Sequence, residues 1–191
     1  LSKILKKSGI NILNSSKVID SKIVGDKVEV TIESNNKKSI INGDVVLSAV
    51  GIKSNIENIG LEEIWIEIEN DKIKVDEFYS TNIENIYAIG DVVDGPALAH
   101  VASAEGITCI EKIKGLNPNP IDCNNIPGCT YCKPEVAAVG YTEEKAIAEG
   151  YDVKVGKFPF SASGKAQASG QPNGFVKVIF DSKYGEWLGC H

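Results

Sequence analysis

Methionine and arginine are both absent from the 191 residues, so all 20 basic side chains are lysines. Against 26 carboxylates they leave a net charge of −6. With no basic surplus to neutralise phosphates, the composition argues against a nucleic-acid partner. No apolar run approaches the roughly 18 residues a membrane helix requires, and no charged-then-apolar leader opens the chain, so no membrane role is expected. The missing arginine, beside abundant lysine, isoleucine and asparagine, is read as codon bias and given no mechanistic weight. The initiator methionine is missing too. The chain opens on Leu1 in a helical pattern and stops at Leu188-Gly189-Cys190-His191 in a strand-like one, so it is expected to be an interior stretch of a longer protein. Cysteines number five (Cys109, Cys123, Cys129, Cys132 and Cys190), an odd count without a leader, which points away from a disulfide scaffold and towards a reducing, cytoplasmic setting. A 42% hydrophobic and 24% charged composition suits a globular protein and not a disordered one.

What is present reads as two patterns in succession. Leu1, Ile4 and Leu5 lie at helical spacing with Gly9 as the stop. Ile10–Leu13 and Lys17–Ile19 read as short extended pieces. Ser21–Val24, Gly25-Asp26 and Lys27–Thr31 read as strand, turn and strand, followed by a polar turn over 34–38. Val45–Gly51 is a continuous apolar run, as in a strand covered on both faces. Ile73–Val75 reads as a short strand, Asn85–Asp91 as a second buried strand, and Ala97–Lys114 as a helix stopped by Gly115. After the Pro/Asn-rich stretch 117–128, strands are expected over 136–139, 151–160, 175–180 and 187–188. Between the first two of these, Thr142 caps a short helix that ends at Gly150. The expected fold class is α/β, with an antiparallel α+β portion from about residue 122.

Asp91 carries the sharpest local signal. It follows Tyr87-Ala88-Ile89-Gly90 and precedes Gly95-Pro96-Ala97-Leu98-Ala99-His100. An acid at the carboxyl end of a buried parallel strand sits where open α/β sheets bind ligands, and it can accept hydrogen bonds from a sugar or sugar-alcohol hydroxyl. Gly90 admits close ligand approach, and the helix starting near Ala97 turns its free N–H groups into the same crevice. The competing reading is a strand-turn-helix corner that Asp91 merely caps.

Residues 46–55, 81–91 and 95–106 (GPALAHVASAEG) resemble, in order and spacing, the flavin-dependent pyridine nucleotide-disulfide oxidoreductases. The stretches at 126–127, 131–140 (YCKPEVAAVG) and 155–191 narrow the resemblance to the dihydrolipoamide dehydrogenase branch. It implies partial Rossmann-like NAD- and FAD-binding domains, residues 1–70 and 71–121, then the start of an interface (dimerisation) domain over 122–191. It implies FAD and NAD as cofactors, with Asp91 on the ribityl chain, Gly90 beside it admitting the cofactor to the backbone, and Ala97, Leu98, Ala99 and His100 wrapping the flavin. Val18 is placed at the adenine end of NAD and Gly51 where the nicotinamide domain meets the flavin. The family usually follows that glycine with arginines and a proline; Ile52, Lys53 and Ser54 stand here instead. The implied activity is oxidation of protein-bound dihydrolipoamide through a disulfide and FAD to NAD. The implied partners are a second copy of the chain and lipoyl domains of 2-oxo-acid dehydrogenase or glycine-cleavage complexes. The alternatives are a mercuric or glutathione reductase of the same superfamily, or a flavin- or nucleotide-binding module without catalysis.

No catalytic residue is assigned within the chain: the family's redox Cys-x4-Cys and its His-x4-Glu pair are expected to lie outside it. Cys129-Thr130-Tyr131-Cys132 has redox spacing. However, Lys133-Pro134 biases the segment towards extended structure, not towards the helix start that would stabilise a thiolate. No metal site is expected from the cysteine spacing. His191 is read as a strand residue, and His100 as a flavin-side or packing residue.

Overall fold

Turn residues that tolerate a left-handed backbone reverse the chain twice in its first quarter. Gly25 (φ +66°) and the Asn35-Asn36 pair (φ 51° and 59°) connect three antiparallel strands, β1 (Ser16–Val24), β2 (Lys27–Ser34) and β3 (Lys37–Gly43), in that order. Asn and Asp are the non-glycine residues that enter this region most readily. The first helix, α1 (Ser2–Lys7), stops before Gly9 (φ +85°), as the spacing predicts. The computed structural model describes all of residues 1–191 and divides them into two compact units, Leu1–Ile52 and Lys53–His191. In the first unit only Ile32, on the central strand β2, is a buried apolar side chain.

Four expectations change here. Ile10–Leu13 joins no strand, whereas 16–24 forms one continuous strand, and 37–43 adds a strand where a polar turn ends. The run 45–51 is not a strand at all, and Val45 (84%), Leu47 (87%) and Val50 (93%) are exposed. Apolarity records what a side chain avoids, while a strand also needs a neighbour to take its N–H and C=O groups. No strand of this chain lies alongside.

The second unit has two cores. In the first, Ile56, Ile66 and Ile73 are buried, with Leu61, Ile83, Ile86 and Val92 packed against them. They sit around a small hairpin, β4 (Ile68–Glu69) and β5 (Lys72–Ile73), turned by Asn70-Asp71 (φ 52° and 61°). Next comes α2 (Ala99–Ile113), which ends ahead of Gly115 (φ +76°). The expected buried strand over 85–91 does not form. Tyr87 makes one isolated bridge with Ser80, Gly90–Val92 is a 3₁₀ turn, and Tyr87 and Ile89 are exposed. The reason is again a missing ladder: this segment has isolated bridges, Ser80 with Tyr87 and Ile73 with Val93, and no paired strand.

The second core lies under a five-stranded antiparallel sheet. Its strands are β6 (Gly128–Thr130), β7 (Val136–Gly140), β8 (Val153–Pro159), β9 (Phe175–Asp181) and β10 (Trp187–Cys190), in the spatial order β6-β7-β10-β9-β8. Ala146 of α3 (Glu143–Ala148) packs with Ile179 and Leu188. The Thr142 hydroxyl accepts the Lys145 N–H at 3.1 Å, the capping bond its position predicts. A short helix, α4 (Gly164–Ala168), follows β8. Where β7 meets β10, Gly140 pairs with Gly189. A Cβ on Gly140 would lie 2.3 Å from the Leu188 carbonyl oxygen, and one on Gly189 would lie 2.1 Å from that of Tyr141. Only hydrogen fits at either position.

Candidate functional site

Asp91 lies in the 3₁₀ turn between the first core and α2, not at the end of a strand. Its side chain is exposed and its carboxylate has no partner within the chain. The backbone around it is held tightly. The Asp91 carbonyl accepts from Ser54 Oγ at 2.9 Å and also from Lys72 Nζ. One residue earlier, the Gly90 N–H donates to Glu105 Oε2 at 2.6 Å, and Glu105 is only 5% exposed, deep on the inner face of α2. The turn therefore fixes its main chain and leaves one anionic side chain free.

Gly90 has two structural reasons beyond ligand approach. Its φ is +76°, and a Cβ there would lie 3.3 Å from Ala102 Cβ. From the other side, a Cβ on Gly106 would meet Ile89 Cδ1 at 3.2 Å. The small residues at 90, 102 and 106 let the turn sit directly on the helix.

The start of α2 is bare. Leu98 precedes it in an extended conformation (φ −136°, ψ 133°) and no side chain caps it, so N–H groups of the first turn remain available. The helix begins at Ala99, two residues later than the sequence suggests, leaving Ala97 and Leu98 in the approach to it. Ala97, Ala99 and His100 are exposed and Leu98 is half-buried. His100 Nε2 donates to the Pro127 carbonyl at 3.0 Å, beside a hollow of about 290 Å³ between α2 and residues 121–127. A carboxylate that only accepts, close in sequence to uncapped amides that only donate, suits a ligand carrying both hydroxyls and anionic or carbonyl oxygens.

The remaining site residues read from the sequence fall in the first unit. Val18 is an exposed residue of β1, and Gly51 (φ +128°) follows β3 in the unpaired segment. Asp91, Gly90, Ala97, Leu98, Ala99 and His100 all belong to the second unit. Glu105, Ser54 and Lys72 complete the site through main-chain contacts that the sequence pattern does not mark. Ser54 stands where the family pattern has a different residue, and it is buried against the Asp91 carbonyl. A glutamate on the apolar side of an amphipathic helix was the available signal for Glu105.

Other ionisable groups are accounted for locally. Burial pushes Tyr79 up to about 12, with the charge of Glu105 adding to it. Burial also raises the Cys109 thiol. Cys129 is exposed on β6, whereas Cys132 lies beyond that strand and its thiol donates to the Pro134 carbonyl at 3.0 Å. His191 Nε2 donates to the Tyr141 carbonyl at 3.0 Å, and its main chain pairs with Lys177.

Comparison with known proteins gives this geometry a context. Residues 1–106 match the family model described as pyridine nucleotide-disulphide oxidoreductase, and residues 126–191 match its dimerisation domain. A dihydrolipoyl dehydrogenase of Rhizobium etli is 47% identical over 98% of this chain, which covers 39% of that protein. One of Zymomonas mobilis is 44% identical over the whole chain, which covers 41% of it. The chain thus spans about two fifths of the length of the curated relatives it matches. Among solved structures, the HOCl-induced flavoprotein disulfide reductase RclA from Escherichia coli superposes with a TM-score of 0.87 at 25% identity, over 99% of this chain and 43% of that one. LpdA from Mycobacterium tuberculosis shares the fold with a TM-score of 0.86 at 24% identity, over 98% of this chain and 40% of that one. The turn at Asp91, the bare helix start behind it and the antiparallel sheet that follows are parts of one inherited architecture: the chain belongs to the pyridine nucleotide-disulphide oxidoreductase family.

Proposed function

We propose that the chain is part of a dihydrolipoyl dehydrogenase and contributes to its FAD and NAD sites and its dimer interface. The observation that carries this is the unpartnered Asp91 carboxylate on a main chain gripped by Ser54, Lys72 and Glu105. Identities of 43–47% to dihydrolipoyl dehydrogenases over 98–100% of the chain support it. In this reading residues 1–70 belong to the NAD-binding domain, 71–121 to the FAD-binding domain and 122–191 to the dimerisation domain.

The residues fit FAD. Asp91 would accept hydrogen bonds from the ribityl hydroxyls. The amides at the start of α2, near Ala97, Leu98, Ala99 and His100, would face the flavin's carbonyl edge, where donors stabilise negative charge. Gly90 would hold the turn on α2. Bound flavin supplies two-electron transfer between a dithiol-disulfide pair and a nicotinamide. Val18 and Gly51 would contact NAD. The whole enzyme would oxidise protein-bound dihydrolipoamide, work as a homodimer with lipoyl domains of 2-oxo-acid dehydrogenase or glycine-cleavage complexes, and reside in the cytoplasm. A second reading, another flavin-dependent disulfide reductase, is favoured by the likeness to RclA. NAD-linked oxidation of dihydrolipoamide by the full-length protein separates the two.

Asp91→Ala in the full-length protein tests the site, with the exposed Asp94 as control. A hydrogen bond to a charged group is worth about 1.5–3 kcal/mol, or ~10- to 100-fold in flavin affinity. Flavin absorbance per purified subunit is expected to fall for Asp91→Ala and not for Asp94→Ala. Equal losses, or none, would sink the assignment.

A further inference from the structure

We infer that Glu105 is a positioning residue for Asp91, acting through the Gly90 amide to set where the free carboxylate stands; this rests on the flavin reading above. A carboxylate buried to 5% exposure within a helix is costly unless it is hydrogen-bonded, and the bond Glu105 makes is to Gly90 N–H at 2.6 Å. That bond leaves the helix and grips the turn. The other grip is on the far side of Asp91, where Ser54 Oγ and Lys72 Nζ both donate to its carbonyl. The Gly90-Asp91 dipeptide is thus clamped at its first N–H and its last C=O, and nothing in the chain occupies the carboxylate between them.

The contact surface makes the clamp short. Gly90 rests on Ala102, where an added Cβ would lie at 3.3 Å, and Gly106 leaves room for Ile89, where one would lie at 3.2 Å. The close approach at these small residues brings the Gly90 amide within reach of the Glu105 carboxylate, whose bond then ties the turn to the helix. Any loosening of this bond moves Asp91 without touching its chemistry. Glu105 is therefore distinct from a ligand-binding residue and from a helix residue that only adds stability.

A double-mutant cycle on the full-length protein, stripped of flavin and titrated with FAD by fluorescence quenching, tests this. Glu105→Ala is expected to weaken FAD binding about tenfold, while Glu105→Gln, whose amide oxygen also accepts, should stay within about threefold of wild type. In the Asp91→Ala background, Glu105→Ala should cause no further loss, because it acts through the group already removed. Additive losses, or a Gln variant as weak as Ala, would overturn the inference. If Glu105→Ala does not fold, Glu105→Asp takes its place, since its carboxylate is one methylene too short to reach Gly90. Weakened binding then supports the positioning role, and wild-type affinity overturns it. If Asp91→Ala leaves FAD affinity unchanged, the flavin reading fails. Amide exchange at Gly90 in the flavin-free protein then decides on Glu105: faster exchange in the Ala variant than in the Gln variant supports the clamp, and equal rates overturn it.

Discussion

Replacing Gly90 by alanine adds one methyl group at the point where the site's turn meets its helix. Two costs follow. At φ +76° an L-residue is disfavoured by about 1–2 kcal/mol. Against this, alanine narrows the unfolded ensemble and returns about 0.4–1 kcal/mol. The new Cβ would also sit 3.3 Å from Ala102 Cβ, which belongs to the rigid body of α2 and can yield only if turn and helix part. The net loss is expected at about 1–2 kcal/mol, read from the midpoint of urea unfolding, together with a fall in flavin retention as Asp91 shifts. Gly106→Ala is the informative counterpart, because it crowds the same contact from the helix side without left-handed strain. Its Cβ would meet Ile89 Cδ1 at 3.2 Å, the far end of a side chain already 39% exposed and free to swing away. Alanine inside a helix gains about 0.8–1 kcal/mol over glycine, so Gly106→Ala should match or exceed wild-type stability. If Gly90→Ala is as stable as wild type, or Gly106→Ala loses more than Gly90→Ala, the account of this interface is wrong.

Two further tests follow from the second unit. Gly189→Ala would drive a Cβ to 2.1 Å from the Tyr141 carbonyl oxygen and force β7 and β10 apart, so a loss above about 3 kcal/mol is expected by urea denaturation; a loss below 1 kcal/mol would refute the close approach. Tyr79 is held up at about 12 by burial, against about 10 unfolded, so the folded state keeps a proton that the unfolded state releases. Its contribution is intact below pH 10 and is lost as the pH climbs towards 12. Tyr79→Phe should therefore lose less stability over that range than wild type, and parallel curves would contradict the burial.

How far the sequence revealed this architecture depends on whether the partners of each segment lie nearby in the chain. The hairpin through Gly25 and the helix capped by Thr142 are contacts between neighbours in sequence, written in turn residues and alternation. The strands of the final sheet are legible from alternation although β7 pairs with the distant β10. The apolar runs at 45–51 and 85–91 carry the same hydrophobic signal as strands, yet neither finds a ladder, and Val50 stands 93% exposed. Hydrophobicity states a need for cover and names no partner. The site divides in the same way. Asp91 and Gly90 are legible as an acid and a glycine between an apolar run and a helix, although the strand expected to carry them is a 3₁₀ turn. Glu105 is marked in the sequence only by its place on the apolar side of the helix, and its bond to the Gly90 amide is visible only in the structure. Ser54 was noticed as a departure from the family pattern, and the structure shows what it does instead: it supports the Asp91 carbonyl.

The glycine pair at 140 and 189 restricts how this sheet can change over generations. Crowded side chains in a core can exchange volume, a loss at one position making room for a gain at the other. Here each glycine faces main chain, the Leu188 carbonyl on one side and the Tyr141 carbonyl on the other, which no substitution can trim. Neither position can be rescued by a change at its partner, so no neutral path leads through a two-step exchange. Any chain that keeps this crossing of strands keeps both glycines as fixed points.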